Sequence, residues 1–515
     1  MPALAAGKSR LFAPSNPATT WPAVVGWGLL GVVGTAAMVL TAGQLTGGSV
    51  RWWLDARLGV SGSGAEVILY AGMIALTVAW LGLGRWARSG VLTPRILWIV
   101  GALWAVPLFL AAPVFSRDVY SYLAQGTILH LGHNPYHDQP VILGQLGQPH
   151  VLAAVDTFWQ HTTAPYGPLF LQLVSWIVGA TGSHVVLDAQ LIKLLGLVGL
   201  ILIAVCAPRL ARALGHDPVR ATWLAILNPL VLFALVTPGH NDLLMVGLMV
   251  AGVTLAVERR PLLGIIVCAL AATIKLPALL AVAFIAVVWA RSEPAVAGRV
   301  KRLAWAAVVT LVVLGIVTLV AGVGASWITS TLFSAPARVK LAITPSSGLA
   351  CTVATATSAC TRSGIATLQT VFRGVFGALT ILLVLELLRR ARPGNAVRYA
   401  GVALIALALG GPAAWPWYFV WGLALLAATP TARAVGWSVV IIVAGAFVVK
   451  PSGILAVPLE SAPWVIGVYV CAAIAAWYTL RPNGRRPAAG VTALEQPDSG
   501  ADRAGAPPPE SVLAK

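Results

Sequence analysis

Residues 96–122 read ILWIVGALWAVPLFLAAPVFSRDVYSY. The first part, 96–114, carries no charge and approaches the roughly 20 apolar residues that cross a bilayer core. It ends abruptly at Ser116-Arg117-Asp118, where a base and an acid stand side by side. Charged neighbours at the end of a span are costly unless they are exposed or used. A membrane-crossing helix that delivers polar chemistry to one face of the bilayer is the unit from which the rest of the chain is read.

The same kind of run recurs. Apolar segments are expected at 22–43, 66–84, 96–114, 184–207, 221–237, 242–257, 262–274, 276–290, 303–322, 366–388, 399–411, 416–429, 435–449 and 462–480. The fold class is therefore an all-α integral membrane protein, a polytopic helical bundle with about 14 transmembrane helices. Composition agrees: 58% of residues are hydrophobic, 10% are charged and the mean hydropathy is +0.86. A soluble core cannot hide that much apolar surface in 515 residues.

The net charge of +18 is a topology signal and not a nucleic-acid footprint, because the basic residues cluster in short loops between apolar runs. Lys8/Arg10, Arg85/Arg88/Arg95, Arg209/Arg212/Arg220, Arg259/Arg260, Arg291/Arg299/Lys301/Arg302, Arg389/Arg390/Arg392/Arg398 and Arg481/Arg485/Arg486 fall on one side, which places both termini in the cytoplasm. This requires the stretch from Tyr166 to Ala180 to be re-entrant and not a full span. Residues 262–290 then form a hairpin broken at Pro277, with Lys275 near its apex.

Three regions follow: a cytoplasmic segment 1–21 with no cleaved signal peptide, a multispanning catalytic domain 22–480, and a Pro- and Ala-rich disordered cytoplasmic tail 481–515. Two extracytoplasmic loops, 115–183 and 323–365, are long enough to carry function. Cys351 and Cys360 lie in the second and are candidates for a disulfide, two free thiols being the alternative.

The first loop holds most of the chemistry. Asp118 and Arg117 open it, with Tyr120 and Tyr122 close behind; Gly132-His133-Asn134-Pro135-Tyr136 and Ala164-Pro165-Tyr166-Gly167-Pro168 add aromatic faces and polar donors on rigid turns. Such groups suit a sugar, although an aromatic belt with a lipid-anchoring arginine reads equally well from composition. Asp138 and Asp156 read as solvated loop acids. On the same membrane face, Thr237-Pro238-Gly239-His240-Asn241-Asp242 makes a tight turn, which could equally cap a helix through Asn241 or Asp242. Lys275 adds positive charge for an anionic leaving group, or snorkels. Trp415-Pro416-Trp417-Tyr418 is a further aromatic turn. Asp188 and Lys193, five apart, are badly spaced for a helical ion pair but could mark a polar path.

Neither a P-loop nor a metal-ligand motif is present in the sequence, and no chain of buried carboxylates suggests proton-coupled transport.

Taken in order, SRDVYSY, GHNPY, APYGPL, PGHNDLLMVG, IKLP and WPWYFVW resemble the actinobacterial polyprenol-phosphomannose-dependent α-1,6-mannosyltransferases, from about residue 110 to residue 425. The resemblance implies a GT-C-type bundle with a large first catalytic extracytoplasmic loop, in the plasma membrane. It implies transfer of mannose from polyprenyl-phosphate-mannose to an α-1,6-mannan acceptor in lipomannan and lipoarabinomannan synthesis, with inversion. Asp118 matches the family's catalytic acid and is expected to act as general base. Arg117, Lys275, His240 and Asn241 are candidates for the donor phosphate; Tyr120, Asn134, Tyr136 and Tyr166 for mannose or acceptor; Trp415, Trp417 and Tyr418 for lipid or acceptor. No cofactor is expected and no metal ligand is assigned. Some relatives of this fold add a soluble C-terminal module; if acceptor binding requires one, a protein partner would provide it. The competing expectations are transfer of another lipid-linked sugar such as arabinose, a lipid-linked sugar flippase or transporter, and an assembly scaffold.

Overall fold

A computed structural model describes residues 17–46, 50–53, 60–87, 92–334, 343–357 and 361–453. The span expected at 462–480, the tail 481–515 and Cys360, with its expected pairing to Cys351, lie outside the described residues.

Thirteen of the expected apolar segments coincide with helical structure. In chain order the main helices are α1 (Pro17–Leu45), α2 (Gly62–Trp86), α3 (Pro94–Leu110), α4 (Asp118–His130), α5 (Pro168–Thr181), α6 (Val185–Ala213), α7 (Pro218–Ile226), α8 (Asp242–Val257), α9 (Pro261–Ala272), α10 (Leu279–Arg291), α11 (Val296–Ala321), α12 (Pro345–Ala356), α13 (Arg362–Arg390), α14 (Ala396–Gly410), α15 (Phe419–Ala427) and α16 (Ala432–Phe447). Among the described residues, six helical stretches are long and apolar enough to cross a membrane unaided, and eight shorter apolar helices of 10–17 residues accompany them. The bundle is thus an all-α membrane fold.

The helices pack α1 on α2, α6 on α8, α8 on α9, α4 on α5 and α14 on α15. By contrast, α11 and α13 present large apolar side chains outward, including Leu319, Leu311, Val312, Leu382 and Leu385. Exposed apolar surface on this scale needs lipid as its partner.

Three local features aim the chain at the site. Phe115 adopts a left-handed φ of 72° while its N–H donates to Pro451 O at 3.0 Å, turning the chain sharply between α3 and α4. Non-glycine residues in this region are strained and are held there by their surroundings. Second, the stretch after α7 breaks at Asn228-Pro229 and winds into a π-helical turn at Leu232–Val236, a feature that favours functional positions. It delivers the 237–241 turn, closed by the His240 N–H on Leu235 O at 3.1 Å. Third, Gly167 sits so close to Thr273 that an added Cβ would lie 2.1 Å from the Thr273 carbonyl oxygen. The Gly167 and Leu169 amides donate to Ile274 O and Thr273 O at 2.9 and 3.1 Å. The loop ahead of α5 is thereby stitched to the turn that carries Lys275.

Candidate active site

Asp118 begins α4 at the edge of a cavity of about 530 Å³. Trp159, Pro165, Tyr166, Lys275, Trp415, Tyr418 and Trp421 surround the polar end beside it, and Leu276, Leu279, Leu280, Leu314, Leu332 and Leu407 extend the wall away from it. The cavity therefore has a charged head and a long apolar flank.

Trp159 Nε1 donates to Asp118 Oδ1 at 3.0 Å. His240 Nε2 lies 3.7 Å from Asp118 Oδ2, beyond hydrogen-bonding distance. Burial pushes the Asp118 carboxyl up from the ordinary aspartate range to about 6, against the pull of the Lys275 ammonium and of hydrogen bonds from Ser116 and Trp159. A carboxylate tuned near neutrality is suited to general-base work. Burial, reinforced by Lys275, holds the His240 imidazole well below its usual range, so this ring is neutral beside the acid.

Lys275 Nζ donates to both carboxylate oxygens of Asp242 at 2.9 Å, and Trp421 Nε1 donates to Asp242 Oδ1 at 2.6 Å. The ammonium also rests over the rings of Tyr418 at 4.3 Å and Trp421 at 5.5 Å. The Asp242 carboxylate is thus committed to Lys275 and Trp421, and Asn241 makes no side-chain cap hydrogen bond at the start of α8. The helix-cap alternative for this turn does not describe what these two side chains do.

An aromatic stack walls the far side. Trp415 stacks on Trp417 at 4.6 Å and Tyr418 on Trp421 at 4.3 Å, while His240 meets the edge of Trp417 at 4.2 Å. The His240 ring nitrogens and the Asn241 amide are buried and have no hydrogen-bond partner among the described residues. Buried polar atoms left this way are costly and await a ligand hydroxyl or water.

The remaining expected site residues act from behind. Arg117 donates to Ala154 O at 2.7 Å and lies against Tyr120 at 5.8 Å; it does not line the cavity. Tyr120 OH accepts from Trp52 Nε1 at 2.7 Å. Tyr136 OH donates to Tyr166 O at 2.8 Å, and Asn134 Nδ2 donates to Val323 O at 3.2 Å, so these two brace the loop that presents Tyr166. Asp118, Tyr166, Lys275, Trp415 and Tyr418 are brought together; Arg117, Tyr120, Asn134, Tyr136, His240, Asn241 and Trp417 support them from behind.

Asp188 and Lys193 do not pair with each other. Asp188 accepts from Thr181 Oγ1, whereas Lys193 donates to Ala111 O at 2.7 Å and Leu108 O at 3.4 Å. The lysine thereby satisfies carbonyls at the end of α3, just before Asp118.

Trp159, Asp242 and Trp421 belong to the site although the sequence reading gave them no role in it. Asp242 was visible within the His-Asn-Asp turn, but its partner stands 33 residues away. Trp159 follows no motif at all.

Among the described residues no group of three or more His, Cys, Asp or Glu is arranged to hold a metal ion.

Comparison with known proteins gives the family. A model described as "Alpha-(1->6)-mannopyranosyltransferase, N-terminal domain" matches residues 24–291, and one described as "MptB C-terminal domain" matches residues 346–481. The chain is 35% identical over 446 residues to alpha-(1->6)-mannopyranosyltransferase A of Mycobacterium tuberculosis, covering 82% of this chain and 83% of that one. It is 26% identical over 475 residues to alpha-(1->6)-mannopyranosyltransferase B of Corynebacterium glutamicum, covering 81% and 75%. No solved structure matches. With one family model spanning more than half of its length and a relative above 30% identity matched over most of both chains, this protein belongs to the alpha-(1->6)-mannopyranosyltransferase family.

Proposed function

We propose that this chain, a mannosyltransferase by family, moves mannose from polyprenyl-phosphate-mannose onto an α-1,6-linked mannan acceptor of lipomannan and lipoarabinomannan synthesis, at the extracytoplasmic face of the plasma membrane. One observation carries the donor class: among the described residues the charged side chains lining the cavity, Asp118 and Lys275, stand at one end of it, and the flank beyond is mainly apolar, with Leu276, Leu279, Leu280, Leu314, Leu332 and Leu407. A phosphodiester with a long isoprenoid chain has that same division between head and tail.

In this reading the acceptor hydroxyl approaches Asp118, which takes its proton as the new bond to the anomeric carbon forms. The bond from that carbon to the phosphate oxygen breaks with its electron pair, leaving polyprenyl phosphate with one more negative charge. Lys275 lies where that charge develops and stabilises it. A single displacement inverts the anomeric centre. Tyr166, Tyr418 and Trp415 offer faces for the sugar, and the neutral His240 and unpartnered Asn241 offer donors behind it. Trp159 holds the carboxylate in place through its hydrogen bond to Oδ1.

Family membership weighs against a flippase or a scaffold, and the names of the relatives weigh against arabinose as the transferred sugar. The discriminating experiment is a donor panel. Purified protein is supplied with a synthetic α-1,6-dimannoside and radiolabelled sugar on polyprenyl phosphate, as mannose or as arabinose, or as nucleotide-linked mannose. Transfer from the polyprenyl mannose alone is expected. Transfer from the nucleotide donor would overturn the proposed donor, and transfer of arabinose would overturn the proposed sugar.

A further inference from the structure

A second cavity, of about 450 Å³, lies at the other ends of the helices that frame the first. The active-site cavity meets α10 at Leu279 and Leu280, α11 at Leu314 and α14 at Leu407 and Ala408. The second meets α10 at Phe284, Ile285, Val288 and Trp289, α11 at Arg302 and α14 at Val397 and Ala400. With a rise of 1.5 Å per residue the two are separated by roughly 15 Å along the helix axes. They are separate sites toward opposite ends of the shared helices, and the second lies on the side of the basic turns at 259–260, 291–302 and 389–398.

Its walls are hydrocarbon: Val253, Ala256 and Val257 of α8 face Phe284, Ile285 and Val288 of α10. Two arginines close the rim. Arg302 is fully engaged, donating to Trp289 O at 2.9 Å and Ser292 Oγ at 2.6 Å and pairing with Glu293 at 2.5 Å. Arg259 is different. Its side chain has no hydrogen bond or ion pair among the described residues, and the acid beside it, Glu258, is already taken by Arg209 at 2.8 Å.

The backbone of Arg259 sharpens the point. It stands at φ 67° in the turn that ends α8, where its N–H donates to Ala256 O at 3.2 Å and that of Arg260 to Leu255 O at 2.9 Å. This is the position where helices favour glycine. A long charged side chain is kept there against the local conformational preference, and it lines an apolar cavity with no acid among the described residues to meet it.

We propose that this cavity binds an anionic phospholipid, with one acyl chain between α8 and α10 and the headgroup phosphate on Arg259. A guanidinium meets a phosphate with two parallel hydrogen bonds, and a basic pocket between helices on the side of the basic turns suits an acidic headgroup. A net-anionic headgroup is selected over a choline one, because choline would bring a quaternary ammonium to a rim whose charged lining residues are Arg259 and Arg302.

The test is native mass spectrometry of the full-length protein with equal phosphatidylglycerol and phosphatidylcholine, on wild type, Arg259→Gly and Arg259→Lys. Glycine suits the backbone here, so Arg259→Gly should fold and its thermal unfolding serves as the control. Wild type should retain one phosphatidylglycerol in preference to phosphatidylcholine. Retention should fall about fivefold in Arg259→Gly, the effect of one basic side chain at a lipid surface, and less in Arg259→Lys, which keeps the charge but not the paired hydrogen bonds. Equal retention of the two lipids by wild type, unchanged retention in a folded Arg259→Gly, or displacement of the lipid by millimolar inorganic phosphate would each overturn the proposal.

Discussion

The indole N–H of Trp159 donates to Asp118 Oδ1 at 3.0 Å, from a short helix 41 residues further along the same loop. This contact ties the far part of the loop to its first acid, and it stabilises the charged form of a carboxyl that burial pushes up to about 6. As the proposed base, Asp118 would work only when ionised, so transfer should rise with pH through about 6 and level off above it. Trp159→Phe removes a donor to the anion, and the midpoint of the kcat/KM–pH profile should move upward. A profile that falls with rising pH through this range, or an unmoved midpoint in Trp159→Phe, would contradict the assignment.

Lys275 and Asp242 form a buried pair, and removing one partner strands the other. Asp242→Asn or Lys275→Met alone should destabilise the protein by about 3 kcal/mol. The double variant should lose less than the sum of the two, with a coupling on the order of 2 kcal/mol in a double-mutant cycle of unfolding in detergent. Activity should be lost in Lys275→Met and in the double variant alike, because the charge proposed to face the leaving phosphate is gone even where stability returns.

Gly167 is the contact point between the Tyr166 loop and the Lys275 turn, and an added Cβ would lie 2.1 Å from Thr273 O. Gly167→Ala should cost about 1–3 kcal/mol of stability by overpacking and lower kcat by pushing Tyr166 away from Lys275. Thermal unfolding and steady-state kinetics measured side by side check both halves.

Gly239 combines a φ of 75° with an added Cβ that would meet Lys193 Cγ at 2.4 Å. Gly239→Ala should destabilise by about 2 kcal/mol or more, through left-handed strain and overpacking together. Because His240 is the next residue, its ring should shift against Asp118 and kcat should fall. Wild-type stability and rate in Gly239→Ala would argue against this packing.

If leucines line the path of an isoprenoid chain, a polar group among them should affect long donors more than short ones. Leu280→Asn should raise KM for a long polyprenyl donor about tenfold and for a truncated donor much less, since each buried CH₂ contributes about 0.8 kcal/mol.

The helices of this fold are legible because lipid demands only length and apolarity, and α2, α6 and α8 fall within a few residues of their expected positions, apart from the C-terminal extension of α6. Two boundaries moved for local reasons: Lys275-Leu276-Pro277 takes an extended and then 3-10 course, delaying α10 to Leu279, and Asn228-Pro229 divides the segment after α7. Asp118, Tyr166, Lys275 and the Trp415–Tyr418 turn were legible as polar and aromatic groups at the ends of spans. The partnerships were not. Nothing local in the sequence signals that Asp242 is held by Lys275 or that Lys193 bonds the end of α3 and not Asp188, since these contacts arise only when separate helices pack. Arg117 shows the converse, a charge adjacent to the key acid whose side chain is drawn to Ala154 O.

Asp118 is the proposed base at the head of the cavity proposed for the lipid donor. The most direct measurement compares wild type with Asp118→Asn, following both transfer of radiolabelled mannose from polyprenyl phosphate to an α-1,6-dimannoside and binding of the donor. The account predicts transfer reduced at least a thousandfold with donor binding within a few-fold of wild type, the signature of a lost general base. Transfer by Asp118→Asn near the wild-type rate would contradict it.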